Sequence, residues 1–150
     1  MSVEPRFTFE DDPDLPGWKR WELSDKTRFN ALFDPLSAKQ EDGFVRVRFT
    51  PGHQHSNLGD NVHGGALLGF IDMALFAAAR TYGALGAGRA ATVDLATHFI
   101  AGAPVAGGAV EARVELLRET GRMLFLRGLI YQGETIVADF SGTVRKSSSA

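Results

Sequence analysis

The chain has 150 residues, 44% of them hydrophobic and 23% charged, with a formal net charge of −2, which suits one soluble globular domain. No stretch carries the clustered Lys and Arg that phosphate backbones require, so nucleic acid is excluded as the main partner. There is no cysteine, which excludes disulfides, thiolate metal sites and Cys nucleophiles. The start, MSVEPRFTFEDDPDLPGW, is acidic and holds three prolines, so it lacks the basic start and apolar run of a signal peptide. Residues 1–15 and 147–150 read as loose ends of a single domain spanning 1–150.

From Trp18 to Asn30 the pattern is mixed, and FNALFDPLSA reads as a short helix or as a strand broken at Pro35. FVRVRFT then alternates, with Val45, Val47 and Phe49 on one side and Arg46 and Arg48 on the other, a half-buried strand ended by Pro51 and Gly52. The polar loop HQHSNLGDNVHGG leads into ALLGFIDMALFAAAR, apolar all round, which predicts a helix inside the fold. Its longest apolar run, 66–79, is too short to span a bilayer, so no membrane association and a cytoplasmic location are expected. Four strand-like runs follow: ATVDLATHFI, GAVEARVELL, RMLFLRGLIY and TIVADFSGTVR. The short connections between them predict antiparallel neighbours. One buried helix among five strands predicts an α+β fold, a long central helix wrapped by a curved antiparallel sheet. The chain would leave the far face of that sheet only partly covered, which a dimer would remedy.

Asp72 sits in that helix among Phe70, Ile71, Met73, Ala74, Leu75 and Phe76. A carboxylate in such company needs partners. It is a candidate base or nucleophile, or else an Asp on a partly wet face or bonded to a neighbouring strand. Gly64 and Gly65 open the helix, where free N–H groups and a partial positive charge can hold a developing oxyanion. They serve equally well as a tight entry turn into a crowded core. Alone, His63 reads as a helix-entry residue, Asn57 as a turn residue and Thr92 as an ordinary strand residue.

Together, the pattern Asn57-x5-His63-Gly64-Gly65-x6-Asp72 resembles the PaaI-like acyl-CoA thioesterases of the hotdog superfamily. The segment TVDLATHFIAGAP, with Thr92, Asp94 and Pro104, resembles the family's next strand, and the likeness runs over roughly residues 30–145. Thr92 lies twenty residues after Asp72, against about eighteen in the family, and the loop YGALGAGRA absorbs the difference. The resemblance implies a hotdog fold and hydrolysis of an acyl- or aryl-CoA thioester, with Asp72 activating water or attacking directly. It implies that the Gly64 or Gly65 N–H, helped by Asn57, polarises the carbonyl, that His63 supports that geometry and that Thr92 orients Asp72 or the water. It also implies a homodimer or homotetramer with composite active sites, and no metal or other cofactor. A non-catalytic acyl-CoA-binding hotdog protein is the alternative. Arg80, Arg89 and Arg145 are candidates for meeting the CoA phosphates.

Three other signals are weak. GALGAGR follows a helix, so it is no phosphate cradle, and Gly83 reads as the helix cap. His53-Gln-His55 lacks a third nearby metal ligand, and no G-x-S-x-G elbow exists.

Overall fold

The computed structural model describes residues 4–86 and 89–147. Eight strands form one antiparallel sheet: β1 (Phe7–Asp11), β2 (Lys19–Leu23), β3 (Leu36–Gln40), β4 (Val45–Phe49), β5 (Ala91–Phe99), β6 (Val110–Glu119), β7 (Met123–Gln132) and β8 (Thr135–Arg145). The order across the sheet is β1-β2-β3-β4-β6-β7-β8-β5. One α-helix, α1 (Gly64–Thr81), packs against β3, β4, β5, β6 and β8. This is the hotdog architecture, an α+β fold in which a curved sheet wraps a central helix.

Alternation makes β4 as the sequence predicts. Val45, Val47 and Phe49 are buried under α1, while Arg46 and Arg48 point outward. There they meet Glu111 of β6: Arg46 Nη2 lies 2.8 Å and Arg48 Nη2 3.0 Å from its Oε1, and Arg113 Nε lies 3.1 Å from Oε2. Burial alone would raise the Glu111 carboxyl, but the hydrogen bonds from the three arginines outweigh it and hold the group below its ordinary value.

The N-terminal arm is a correction. Residues 1–15 were expected to be loose, yet β1 pairs with β2 from Phe7↔Leu23 to Asp11↔Lys19. The Phe7 ring stacks on Trp21 at 4.9 Å and Phe9 meets the same indole edge-on at 5.9 Å. Those aromatic contacts anchor the strand. FNALFDPLSA turns out to be both of the elements it could encode, a 3₁₀ turn at Phe29–Phe33 and then β3, which begins just after Pro35. The tail from 148 onward lies outside the described residues.

A second correction concerns β5. The short connection to β6 predicted neighbours, but β5 pairs with β8 and β6 pairs with β4. The connecting segment is tied instead to the loop before α1. Val62 N–H donates to Ala103 O at 2.8 Å and Val105 N–H to Asp60 O at 2.9 Å. These bonds carry the chain past α1 rather than back along β5. β6, β7 and β8 are antiparallel neighbours as expected.

The helix is a third. At 18 residues it is longer than its apolar run and passes length and hydropathy tests for a membrane span, yet half of it is buried inside this fold. It is not enclosed on every side. Leu68, Asp72, Phe76 and Arg80, four residues apart, form a half-buried line along it. Beyond Tyr82 it ends as predicted at Gly83, whose φ is +74°. Ala84 N–H reaches back to Ala79 O and Gly83 N–H to Arg80 O, the paired bonds of a Schellman cap.

Candidate active site

The loop before α1 sets the helix entrance. Asn57 Oδ1 accepts the N–H of Gly59 at 2.9 Å and of Asn61 at 3.1 Å, closing a turn in which Asp60 takes a φ of +61°. The Asn57 side-chain oxygen is thereby occupied, and its amide NH₂ has no partner among the described residues. His55 is buried. Its Nδ1 accepts from Gly52 N–H at 2.9 Å, and its Nε2, 2.6 Å from Leu32 O, carries the proton. With both nitrogens engaged, His55 is a packing residue.

His63 caps α1, and its Nδ1 accepts the N–H of Gly65 at 2.9 Å. Of the two glycine donors suggested by the sequence, Gly65 is therefore already bonded. Gly64, the first helical residue, has no partner for its N–H among the described residues and lies where the helix dipole is positive. The ring of Phe99 covers it: a methyl group on Gly64 would sit 3.4 Å from Phe99 Cζ.

Asp72 lies two turns further along, half-buried on the open line of α1. Thr92 Oγ1 donates to Asp72 Oδ1 at 2.5 Å, while Oδ2 has no partner among the described residues. A bulge between Thr92 and Asp94 shifts the β5–β8 register at this point, which is how a strand end can re-aim a side chain. The longer loop noted above thus still brings Thr92 to the carboxylate. Asp72 opens into a cleft of about 740 Å³ whose walls include Phe7, Trp21, Phe76, Arg80 and Arg89. A second cleft of about 720 Å³, lined by Arg89, Arg122, Arg145 and Lys146, adjoins it at Arg89 and Ala90.

One chain does not unite these groups. Asn57 and His63 line a separate surface depression. Gly64 and Asp72 are eight residues apart on one helix, about 12 Å along its axis. The wall residues Phe7 and Trp21 carried no signal in the sequence, since Phe7 lies in the stretch read as a loose end and Trp21 in the one whose pattern was mixed. Phe76 and Arg80 did carry one, the four-residue spacing from Asp72.

The sequence profile of the thioesterase superfamily matches residues 59–138, more than half the chain. The chain belongs to the thioesterase superfamily. Among solved structures, this thioesterase-superfamily chain is similar to a conserved protein from Pseudomonas aeruginosa, 24% identical over 79% of this chain and 93% of that one, with a TM-score of 0.66. A mutant of the phenylacetic acid degradation protein PaaI from Thermus thermophilus is 24% identical over 78% and 96%, with a TM-score of 0.61. A Bacillus halodurans protein solved with CoA is 23% identical over 75% and 74%, with a TM-score of 0.63. At these identities the likeness establishes the shared fold. No curated protein matches the sequence.

Proposed function

We propose that this superfamily member is a homodimeric acyl-CoA thioesterase whose active sites lie between subunits. One observation carries the reading: the free edge strand β5 touches both halves of the site. Thr92 near its start bonds Asp72, and Phe99 at its end covers Gly64. β5 is the last strand of the sheet, with Val93 and Phe99, and Ile100 just past its end, more than half exposed. An unpaired apolar edge of this kind suits a second copy of the chain. Antiparallel pairing of two β5 strands about Ala96, each strand keeping its bulge between Thr92 and Asp94, sets residue 92 of one opposite residue 99 of the other. Asp72 then faces Gly64 of the partner subunit. A further pairing of dimers into tetramers would leave both sites intact.

In that site a water oxygen attacks the thioester carbon as Asp72 Oδ2 takes its proton. The carbonyl oxygen becomes negative against the partner's Gly64 N–H, with the Asn57 amide beside it. Collapse breaks the C–S bond, and the leaving CoA sulfur receives the proton from Asp72. Direct attack by Asp72, giving an anhydride that water then opens, uses the same groups. Single turnover in ¹⁸O-water separates the two, because only the second route can leave label in the Asp72 carboxyl. Neither route calls on a metal or resident cofactor. The basic cleft of Arg89, Arg122 and Arg145 suits the CoA phosphates, and the cytoplasm is where such substrates would be met.

The test is thiol release from a panel of short aliphatic, long aliphatic and aryl-CoA esters. Asp72→Asn should lower kcat by about a hundredfold or more while the protein stays folded. Undiminished turnover in the folded variant would remove Asp72 from the mechanism. Tight binding of every ester by the wild type with no thiol release would make the protein a CoA-ester binder instead.

A further inference from the structure

The wall of the Asp72 cleft contains a cation that nothing among the described residues neutralises. Arg80 lies on the same open line of α1 as Asp72 and Phe76. Its guanidinium sits 4.7 Å from the Phe7 ring centre and 5.7 Å from that of Trp21. Its Nε is buried without an acceptor among the described residues, and so is the indole N–H of its neighbour Trp21. Burial pushes the Arg80 guanidinium below its ordinary value, with no carboxylate beside it to offset the loss of water. Natural folds rarely leave such donors orphaned, and at a cleft wall the missing acceptor is expected on a ligand. Arg6 and Arg89 line the same cleft.

Given the thioesterase reading above, on which this step rests, we infer that the cleft selects acyl groups with an apolar body and a terminal carboxylate, the monothioesters of short dicarboxylic acids, and that Arg80 is the residue that selects them. The thioester carbon lies at Asp72. The acyl chain runs along α1 over Phe76 beside the stacked Phe7 and Trp21 rings, and its carboxylate meets the Arg80 guanidinium. The Cα atoms of Asp72 and Arg80 are about 12 Å apart along the helix. A helical Arg leans back toward the N-terminus, which shortens the gap to the span of a short diacid. Phe7 and Trp21, from the N-terminal hairpin, lie outside the segment matched by the superfamily profile.

The experiment compares adipoyl-CoA with hexanoyl-CoA, which have the same chain length with and without the carboxylate. The wild-type kcat/KM ratio should favour adipoyl-CoA by about tenfold or more, the worth of one charge-assisted hydrogen bond out of bulk water. Arg80→Met should bring the ratio close to one, and Arg80→Lys should restore part of it. A wild-type ratio near one overturns the inference without need of any variant. An unchanged ratio in Arg80→Met overturns it too. If that variant then loses activity on both CoA esters but not on the matching pantetheine thioesters, Arg80 meets a CoA phosphate instead. Should the wild type release no thiol at all, the thioesterase reading fails, and calorimetry still decides the selectivity. About tenfold tighter binding of adipoyl-CoA, lost in Arg80→Met, supports it, and equal binding of the two esters ends it.

Discussion

His63 determines which backbone N–H remains for chemistry. By accepting from Gly65 it fixes the helix entrance and leaves the Gly64 N–H beside Phe99 without a partner among the described residues, free for the proposed oxyanion role. Gly64→Pro tests this cleanly. Gly64 is the first helical residue, where Pro is tolerated, and His63 before it already has the extended ψ of 137° that a following Pro demands. The substitution removes one N–H and little else, so kcat should fall by a factor of a hundred or more, about 3 kcal/mol of transition-state stabilisation. Gly64→Ala keeps the N–H and should lose far less. Steady-state kinetics on both variants, with folding followed by circular dichroism, checks the pair. Equal activity in Gly64→Pro and Gly64→Ala would move the oxyanion donor elsewhere. The Asn-x5-His-Gly-Gly-x6-Asp spacing gathered His63, Gly64 and Gly65 but not Phe99, and spacing alone could not tell Gly64 from Gly65. That distinction rests on the His63 ring, whose direction is set by the fold.

At the scale of elements, β4 and β6 are joined on the outer sheet face by Glu111 and its arginines. The Glu111 carboxyl is held below its ordinary value in the fold. Its stabilisation is therefore complete above the unfolded-chain pKa and is lost as pH falls through the lower folded value. Glu111→Gln should cost roughly 1–2 kcal/mol at pH 7, a figure reduced because the arginines are partly wet. The difference from wild type should shrink below about pH 4. Urea unfolding at pH 7 and at pH 3.5 checks it, and a difference independent of pH would contradict the assignment. Elements with long periodic runs were legible in sequence: β4, α1 and β6 to β8 fall where alternation and apolar content place them. β1 and β2 were not, because their order comes from Phe7, Phe9 and Trp21 packing together across the pair. The β5–β8 pairing was also hidden. It depends on hydrogen bonds between Val62 and Ala103 and between Asp60 and Val105, which tie segments about forty residues apart and leave no local mark.

For the whole molecule, the proposed dimer would make one site from two halves. The helix rise keeps Gly64 and Asp72 about 12 Å apart, whereas a reacting carbon needs its nucleophile and its oxyanion donor each about 3 Å away. In the proposed dimer, a two-fold relation at the midpoint of β5 would bring the two halves together. Intersubunit complementation tests this most directly. Asp72→Ala and Gly64→Pro homodimers should each be nearly inactive. Mixed in equal amounts by co-unfolding and refolding, about half the dimers become hybrids with one intact site of two, so activity should rise to roughly a quarter of wild type. Activity no greater than the mean of the two separate variants would show that Asp72 and Gly64 serve one site from the same chain, contradicting the composite site.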